Sequence, residues 1–142
     1  MPPAIVRGFS MDTNFEGDRE IPGLGTNIWP ITLDDGSTVE GGTVLMRDQW
    51  NSKFYSTLES LAHPNDLRVW QNRLSGFWGG TNVESVLKTH GIRTLIVAGC
   101  NTDQCVAASL TDAAWNNWGC LLLSDGTATT NPRFAQEMVE ST

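Results

Sequence analysis

Lysine is almost missing from this 142-residue chain: Lys53 and Lys88 stand against seven arginines and sixteen acidic residues. The net charge is −7 and the charges are scattered, so no basic stripe is present for nucleic acid or an anionic membrane surface. Histidine is as scarce. His63, in the loop-like AHPND, and His90, just before Gly91, both read as surface residues, and neither stands near a cysteine in sequence. A Cys-His dyad could therefore be built only by the fold. The three cysteines, Cys100, Cys105 and Cys120, are odd in number and lack CxxC or Cys/His ligand spacing, which argues against a disulfide framework and a zinc site. No apolar run approaches the ~18 residues of a membrane span, and MPPAIVRGFS lacks the apolar core of a secretion signal. The expectation is a cytoplasmic chain with reduced thiols. Its length suits one domain that buries roughly 70% of its unfolded surface.

What is present divides into two parts. Residues 1–42 hold seven of the fourteen glycines and four of the six prolines, including IPGLGTNIWP and the turn-like LDDGST. This part reads as ordered loop or short hairpins. GLGT follows no apolar strand and opens no amphipathic helix, so it lacks the setting of a dinucleotide fingerprint. Over 43–142 short apolar runs come to alternate with helix-length segments. LRVW (67–70) suits a strand, TNVESVLKTHG (81–91) a helix stopped by Gly91, and TLIVAG (94–99) a buried strand. TDQCVAASLTDAAWNNWG (102–119) suits a helix, CLLLSDG (120–126) a strand, and NPRFAQEMVEST (131–142) a last helix with Pro132 in its first turn. Alternation of this kind predicts an α/β fold with a parallel sheet, whose ligands sit beyond the carboxyl ends of the strands. Gln71, Cys105 and Asp125 fall near such ends.

Cys105 is the residue with most chemical promise. If Asn101 or Thr102 caps the helix, the Cys105 amide is among the first-turn donors without an intrahelical partner. Such amides, with the helix dipole, favour a thiolate and can stabilise an oxyanion. The plainer reading is a small core residue on an alanine-rich helix, and it applies with more force to Cys100 and Cys120. Asp103 reads as a helix-dipole stabiliser, Asp112 as one end of a structural hydrogen bond or salt bridge, and Asp125 as a turn residue.

The segment AGCNTDQCVAASLTDAAWNNWGCLLLSDGTATT, with QNRLSGFWGGTNVESVLKTHGIRTLIVAG upstream, resembles the isochorismatase-like cysteine hydrolases, the group of nicotinamidases, N-carbamoylsarcosine amidohydrolases and ureidoacrylate amidohydrolases. The likeness is closest over about residues 66–132, and PPAIVRGF, PGLGTNIWPITLDDGSTVEGG and LMRDQWN resemble linking regions of one branch. It implies a three-layer α/β/α domain and a triad of aspartate, lysine and cysteine. Cys105 matches the nucleophile. The amides of Asn101 and Cys105 match the oxyanion hole, beside a cis peptide joining Cys100 to Asn101. Phe77 and Trp78 match a loop over a small-molecule pocket, and Trp115 and Trp118 read as packing or oligomer contacts. Hydrolysis of a small amide, ureido or related carbon–nitrogen substrate is implied, with no metal and no cofactor, and with a homo-oligomer as a possible assembly.

Two positions depart from the pattern. The lysine position carries Gln71, whose neutral amide donates hydrogen bonds but supplies no positive charge. The aspartate belongs to a D-x-Q context at the end of a first strand, upstream of anything here. The family sheet order, 3-2-1-4-5-6, would leave LRVW and TLIVAG separated by two strands absent from the chain, so the sequence reads as one partial domain over 1–142. A substitute exists in TVLMRDQW (43–50), an apolar run ending in Asp48 and followed by enough chain for a crossover. Three readings follow: a cysteine hydrolase, a catalytically silent relative that binds a small molecule or serves as a subunit, and a non-functional fragment.

Overall fold

The structure, a computed structural model, describes residues 6–7, 25–69, 71, 73–79 and 81–141. They fall into two compact units, which join between residues 70 and 71 rather than at the change of composition after residue 42. Most of PPAIVRGF and the last residue of LRVW lie outside the described residues.

The first unit is built from short pairings. Strand β1 (Val6–Arg7) runs parallel to β6 (Leu67–Arg68), β2 (Asn27–Ile28) is antiparallel to β5 (Gly42–Thr43), and β3 (Ile31–Thr32) forms a hairpin with β4 (Thr38–Val39). The LDDGST turn closes that hairpin as its composition predicts. Gly36 takes φ 81°, and the Asp35 carboxylate accepts from the Ser37 hydroxyl (2.6 Å) and amide (2.9 Å). Those bonds to Ser37 hold the Asp35 carboxyl below its ordinary range.

TVLMRDQW, which resembles a linking region, does not form the substitute strand and crossover that its apolar run also offered. Thr43 pairs antiparallel with Asn27, and Leu45 (φ 57°) and Asp48 (φ 65°) lie in the left-handed region, where an extended strand cannot continue. Asn51 fixes these turns by donating to Gly41 O (2.7 Å) and Thr43 O (2.9 Å) and accepting from Leu45 N (2.7 Å). Gly42 is required there, because at φ 75° an added Cβ would run into the Gln49 side chain. A short helix, α1 (Ser56–Ser60), leads on to β6.

The second unit carries the regular α/β portion. Helix α2 (Val83–Thr89) buries Val83 and Leu87 and ends where Gly91 was expected to stop it. Gly91 (φ 66°) donates to Lys88 O and Ile92 to Leu87 O, the paired bonds of a Schellman cap. Strand β7 (Thr94–Cys100) lies parallel to β8 (Gly119–Ala128), and the connection between them carries α3 (Ala107–Trp115). Helix α4 (Arg133–Glu140) starts directly after Pro132, as expected.

Three expectations for this unit need correction. Helix α3 ends at Trp115 rather than near Gly119, because Asn117 adopts φ 64° and a second Schellman pair forms, from Asn117 to Ala114 O and from Trp118 to Ala113 O. Asparagine enters this region with little penalty. Strand β7 is only half covered. Leu95 and Val97 are half-buried, whereas Ile96 on the opposite face is 68% exposed, as are Leu121 (59%) and Leu123 (45%) on β8. Asp125 lies within β8, where residues 123–126 bulge out of the ladder, and not in a simple turn.

Candidate active site

The cysteine turn begins where β7 ends. The β7–β8 register runs evenly from Thr94↔Gly119 to Val97↔Leu122, then jumps to Gly99↔Thr127 and Cys100↔Ala128, so residues 123–126 bulge out of the ladder. Gly99 makes the matching adjustment on β7 at φ 128°, a conformation closed to residues with a Cβ. The two strands thus rejoin at their carboxyl ends, directly before residues 101 and 129.

The peptide between Cys100 and Asn101 is cis, as the resemblance implies. Residues Thr102–Val106 follow as a π-type turn, with Gln104 outside the helical region (φ −116°, ψ −107°), before α3 takes over. Neither expected side-chain cap forms. Asn101 occupies the cap position without a side-chain bond, and the buried Thr102 Oγ1 has no partner among the described residues. The turn's amides use the main chain instead: Gln104 N and Val106 N both donate to Asn101 O, at 3.1 and 3.4 Å. Cys105 is a half-buried free thiol whose Sγ lies 3.3 Å from Cys100 O.

Gln71 is buried, 8% exposed, and its Nε2 donates to Arg73 O (2.8 Å) and Leu74 O (2.5 Å). Both donor positions of the amide thus serve the loop that Gln71 opens. That loop is fastened to the cysteine helix: Gly76 N donates to Ser109 Oγ at 2.9 Å, and Ser109 lies four residues, about one turn, beyond Cys105. The wholly buried Ser75 accepts from Phe77 N, and Thr81 Oγ1 donates to Gly76 O at 2.7 Å. Phe77 stacks at a tilt on Trp118, with centroids 6.5 Å apart, and Trp78 is 45% exposed. Trp115 is 82% exposed.

Asp103 does more than was expected of it. Its carboxylate accepts from Thr129 Oγ1 and Asn131 Nδ2, each at 2.5 Å. The bonds to Thr129 and then Asn131 draw its carboxyl below the ordinary range. Sequence reasoning missed Thr129 and Asn131, whose only local signal is their position just past a strand end. For Asp112 the expected carboxylate partner is absent among the described residues: Oδ2 is buried and unpaired. His63 and His90 are exposed, and so are Lys53 and Lys88, the latter paired with Glu84 at 2.6 Å. The described residues hold no cluster of histidine, cysteine and acidic side chains able to bind a metal, and no helix among them is long and apolar enough to cross a membrane.

The isochorismatase domain model matches residues 32–142. The chain belongs to the isochorismatase family. Within the family it is similar to ureidoacrylate amidohydrolase RutB of Agrobacterium fabrum, 35% identical over 96 residues, which cover 68% of this chain and 41% of that protein. The corresponding protein of Caulobacter vibrioides is 34% identical over 97 residues, again 68% and 41%. The chain thus spans about two fifths of the length of these curated relatives. Two solved structures share the fold over 99% of this chain and 69% of their own, each with a TM-score of 0.73: nicotinamidase PncA from Bacillus subtilis (20% identity) and N-carbamoylsarcosine amidase from Thermoplasma acidophilum (18%). The α/β fold expected from the sequence is that of the isochorismatase family.

Proposed function

We propose that this chain carries the nucleophile portion of a cysteine hydrolase acting on a small amide, ureido or related carbon–nitrogen substrate, with Cys105 attacking the carbonyl carbon. The observation that carries the reading is the placement of Cys105: a half-buried thiol in the first turn after a parallel strand, reached through the cis Cys100–Asn101 peptide. The Cys105 sulfur adds to the carbonyl carbon, and the amides of Asn101 and Cys105 stabilise the oxyanion as it forms. Collapse of that intermediate expels the amine, which takes up a proton, and leaves a thioester. Water then adds to the thioester and releases the acid and the free thiol. Trp78 serves as a wall of the substrate site.

The weak part of the site is its proton and charge handling. Gln71 supplies no cation to the thiolate or the developing anion, and Asp48, in a left-handed turn rather than at a strand end, loses the structural argument for its role as the acid. The occupation of Gln71 Nε2 by two main-chain carbonyls favours a second reading, a silent relative that binds a substrate-like molecule. One experiment separates them. A panel of small amides and ureides is assayed with the chain, with Cys105→Ser and with Gln71→Lys. Turnover that is abolished by Cys105→Ser and raised by Gln71→Lys supports the hydrolase. Absence of turnover in all three, with a panel member still bound, supports the silent relative.

A further inference from the structure

We infer that Asp103 is a positioning residue for Cys105: with Thr129 and Asn131 it forms a clamp that holds the cysteine turn against the segment following β8. The inference rests on the reading of Cys105 as nucleophile for its purpose, but not for its geometry.

The turn needs an outside fastening. An ordinary first helical turn is steadied by the i→i+4 ladder that follows it. Here the backbone leaves the helical region at Gln104, between Asp103 and Cys105. Two amides converge on the single carbonyl of Asn101, and no capping side chain assists. The clamp supplies what is missing. Both Asp103 oxygens are engaged, by partners 26 and 28 residues away in sequence, and Asn131 N donates in turn to Thr129 Oγ1 at 3.2 Å. Charge-assisted bonds of this kind are about twice as strong as neutral ones.

The sheet register delivers the partners. Because β8 bulges over 123–126 and rejoins β7 at Thr127 and Ala128, Thr129 emerges beside the residues that follow Cys100. An even register would have paired Gly99 with residue 124 and Cys100 with residue 125, three residues earlier in β8. The bulge and the clamp are therefore parts of one arrangement. Thr129 satisfies Oδ1 and Asn131 satisfies Oδ2, so Asp103 carries a negative charge two residues from the thiol with both oxygens hydrogen-bonded.

Donor and acceptor logic gives a specific test. Asp103→Asn removes the charge and leaves one acceptor oxygen where two are engaged, and Asn131→Leu removes the Asn131 donor while leaving the charge in place. The combined Asp103→Asn, Asn131→Asp exchange restores one donor facing one acceptor and preserves the net charge. Two readouts need no substrate: amide hydrogen exchange at residues 102–106, and the pH profile of Cys105 alkylation resolved from Cys100 and Cys120 by mass spectrometry. Each single variant is expected to speed exchange in the turn by about tenfold. Asn131→Leu should alter the rate of Cys105 alkylation relative to Cys100 and Cys120, and the exchanged pair should return both readouts toward the parent. The clamp is overturned if Asp103→Asn merely lowers the thiol pKa with exchange unchanged, which is a charge effect alone. It is also overturned if the exchanged pair is as loose as the single variants. With a substrate in hand, Asn131→Leu should lower kcat and leave KM within about twofold. Failure to find turnover would remove the hydrolase reading and leave the clamp standing on its own two readouts.

Discussion

The two halves of this chain are held together by different means. In the second unit, residues 71–142, burial carries the structure: Leu87 is 1% exposed, Ala113 is wholly buried, and Val83, Val106 and Ala135 join them. In the first unit Val69 is the only buried large apolar residue among those described, and Trp29, Tyr55 and Leu61 are at least 70% exposed. Its order comes from side chains that bond the main chain, above all Asn51 and Asp35. Hydrogen-bonded turns fix local shape with little apolar area, whereas a packed interior couples distant residues. Cys105 lies in the coupled unit, where a thiol can be held in one geometry.

The sharpest break of this contrast is Leu87→Ala. It should cost the second unit about 2–5 kcal/mol, read as a lowered denaturant midpoint with loss of near-UV signal from Trp118. A comparable loss from truncating Leu58, which is half exposed, would show that the halves do not differ as described. Next comes Gly99→Val, which puts a β-branched residue at φ 128° and should cost about 1–3 kcal/mol, accompanied by faster amide exchange at Cys100 and Asn101.

In the first unit Asn51→Ala removes three main-chain bonds and should cost about 1–3 kcal/mol of local stability. Proteolysis around residues 41–45 should quicken while the second unit keeps its exchange protection. The smallest effect is expected at the exposed Lys88–Glu84 pair, where Lys88→Ala should shift stability by no more than about 0.5 kcal/mol.

Acidity gives a further comparison, because among the described residues each unit holds one carboxylate drawn below its ordinary range, Asp35 through Ser37 and Asp103 through Thr129 and Asn131. Both pKa values are lower in the folded chain, so the stability they contribute is full above the unfolded value of about 3.9 and is lost as pH falls through the folded values. NMR below pH 4 should show the Asp35 turn and the Asp103 clamp releasing independently. Burial pushes the Cys120 thiol up, so Cys120 should alkylate more slowly than the exposed Cys100 up to about pH 9. Equal rates would mean that the underside of β8 is open.

Much of the second unit was legible in the sequence because its signals are local. The strand periods of TLIVAG and CLLL, the stop at Gly91 and the start at Pro132 each depend on neighbouring residues, and each matches an observed element. The end of α3 was misjudged because Asn117 announces a left-handed conformation less strongly than glycine does. TVLMRDQW, which resembles a linking region, also offered a substitute strand because an apolar run of that length suits a strand and a set of turns alike; the turns formed, and their left-handed residues, Leu45 and Asp48, carry no glycine signal.

The sequence by itself determined the α/β alternation, the family and the position of Cys105 at the start of its helix, since these follow from short-range periodicity and a contiguous motif. Tertiary structure alone decided what fastens that cysteine's turn and helix: Ser109 beneath Gly76, and Asp103 between Thr129 and Asn131. The bonds from Asp103 and Ser109 join residues 26 to 33 positions apart. The Asp103 bonds exist because a bulge over residues 123–126 shifts the register of two parallel strands, and register is a property of the packed sheet rather than of either strand.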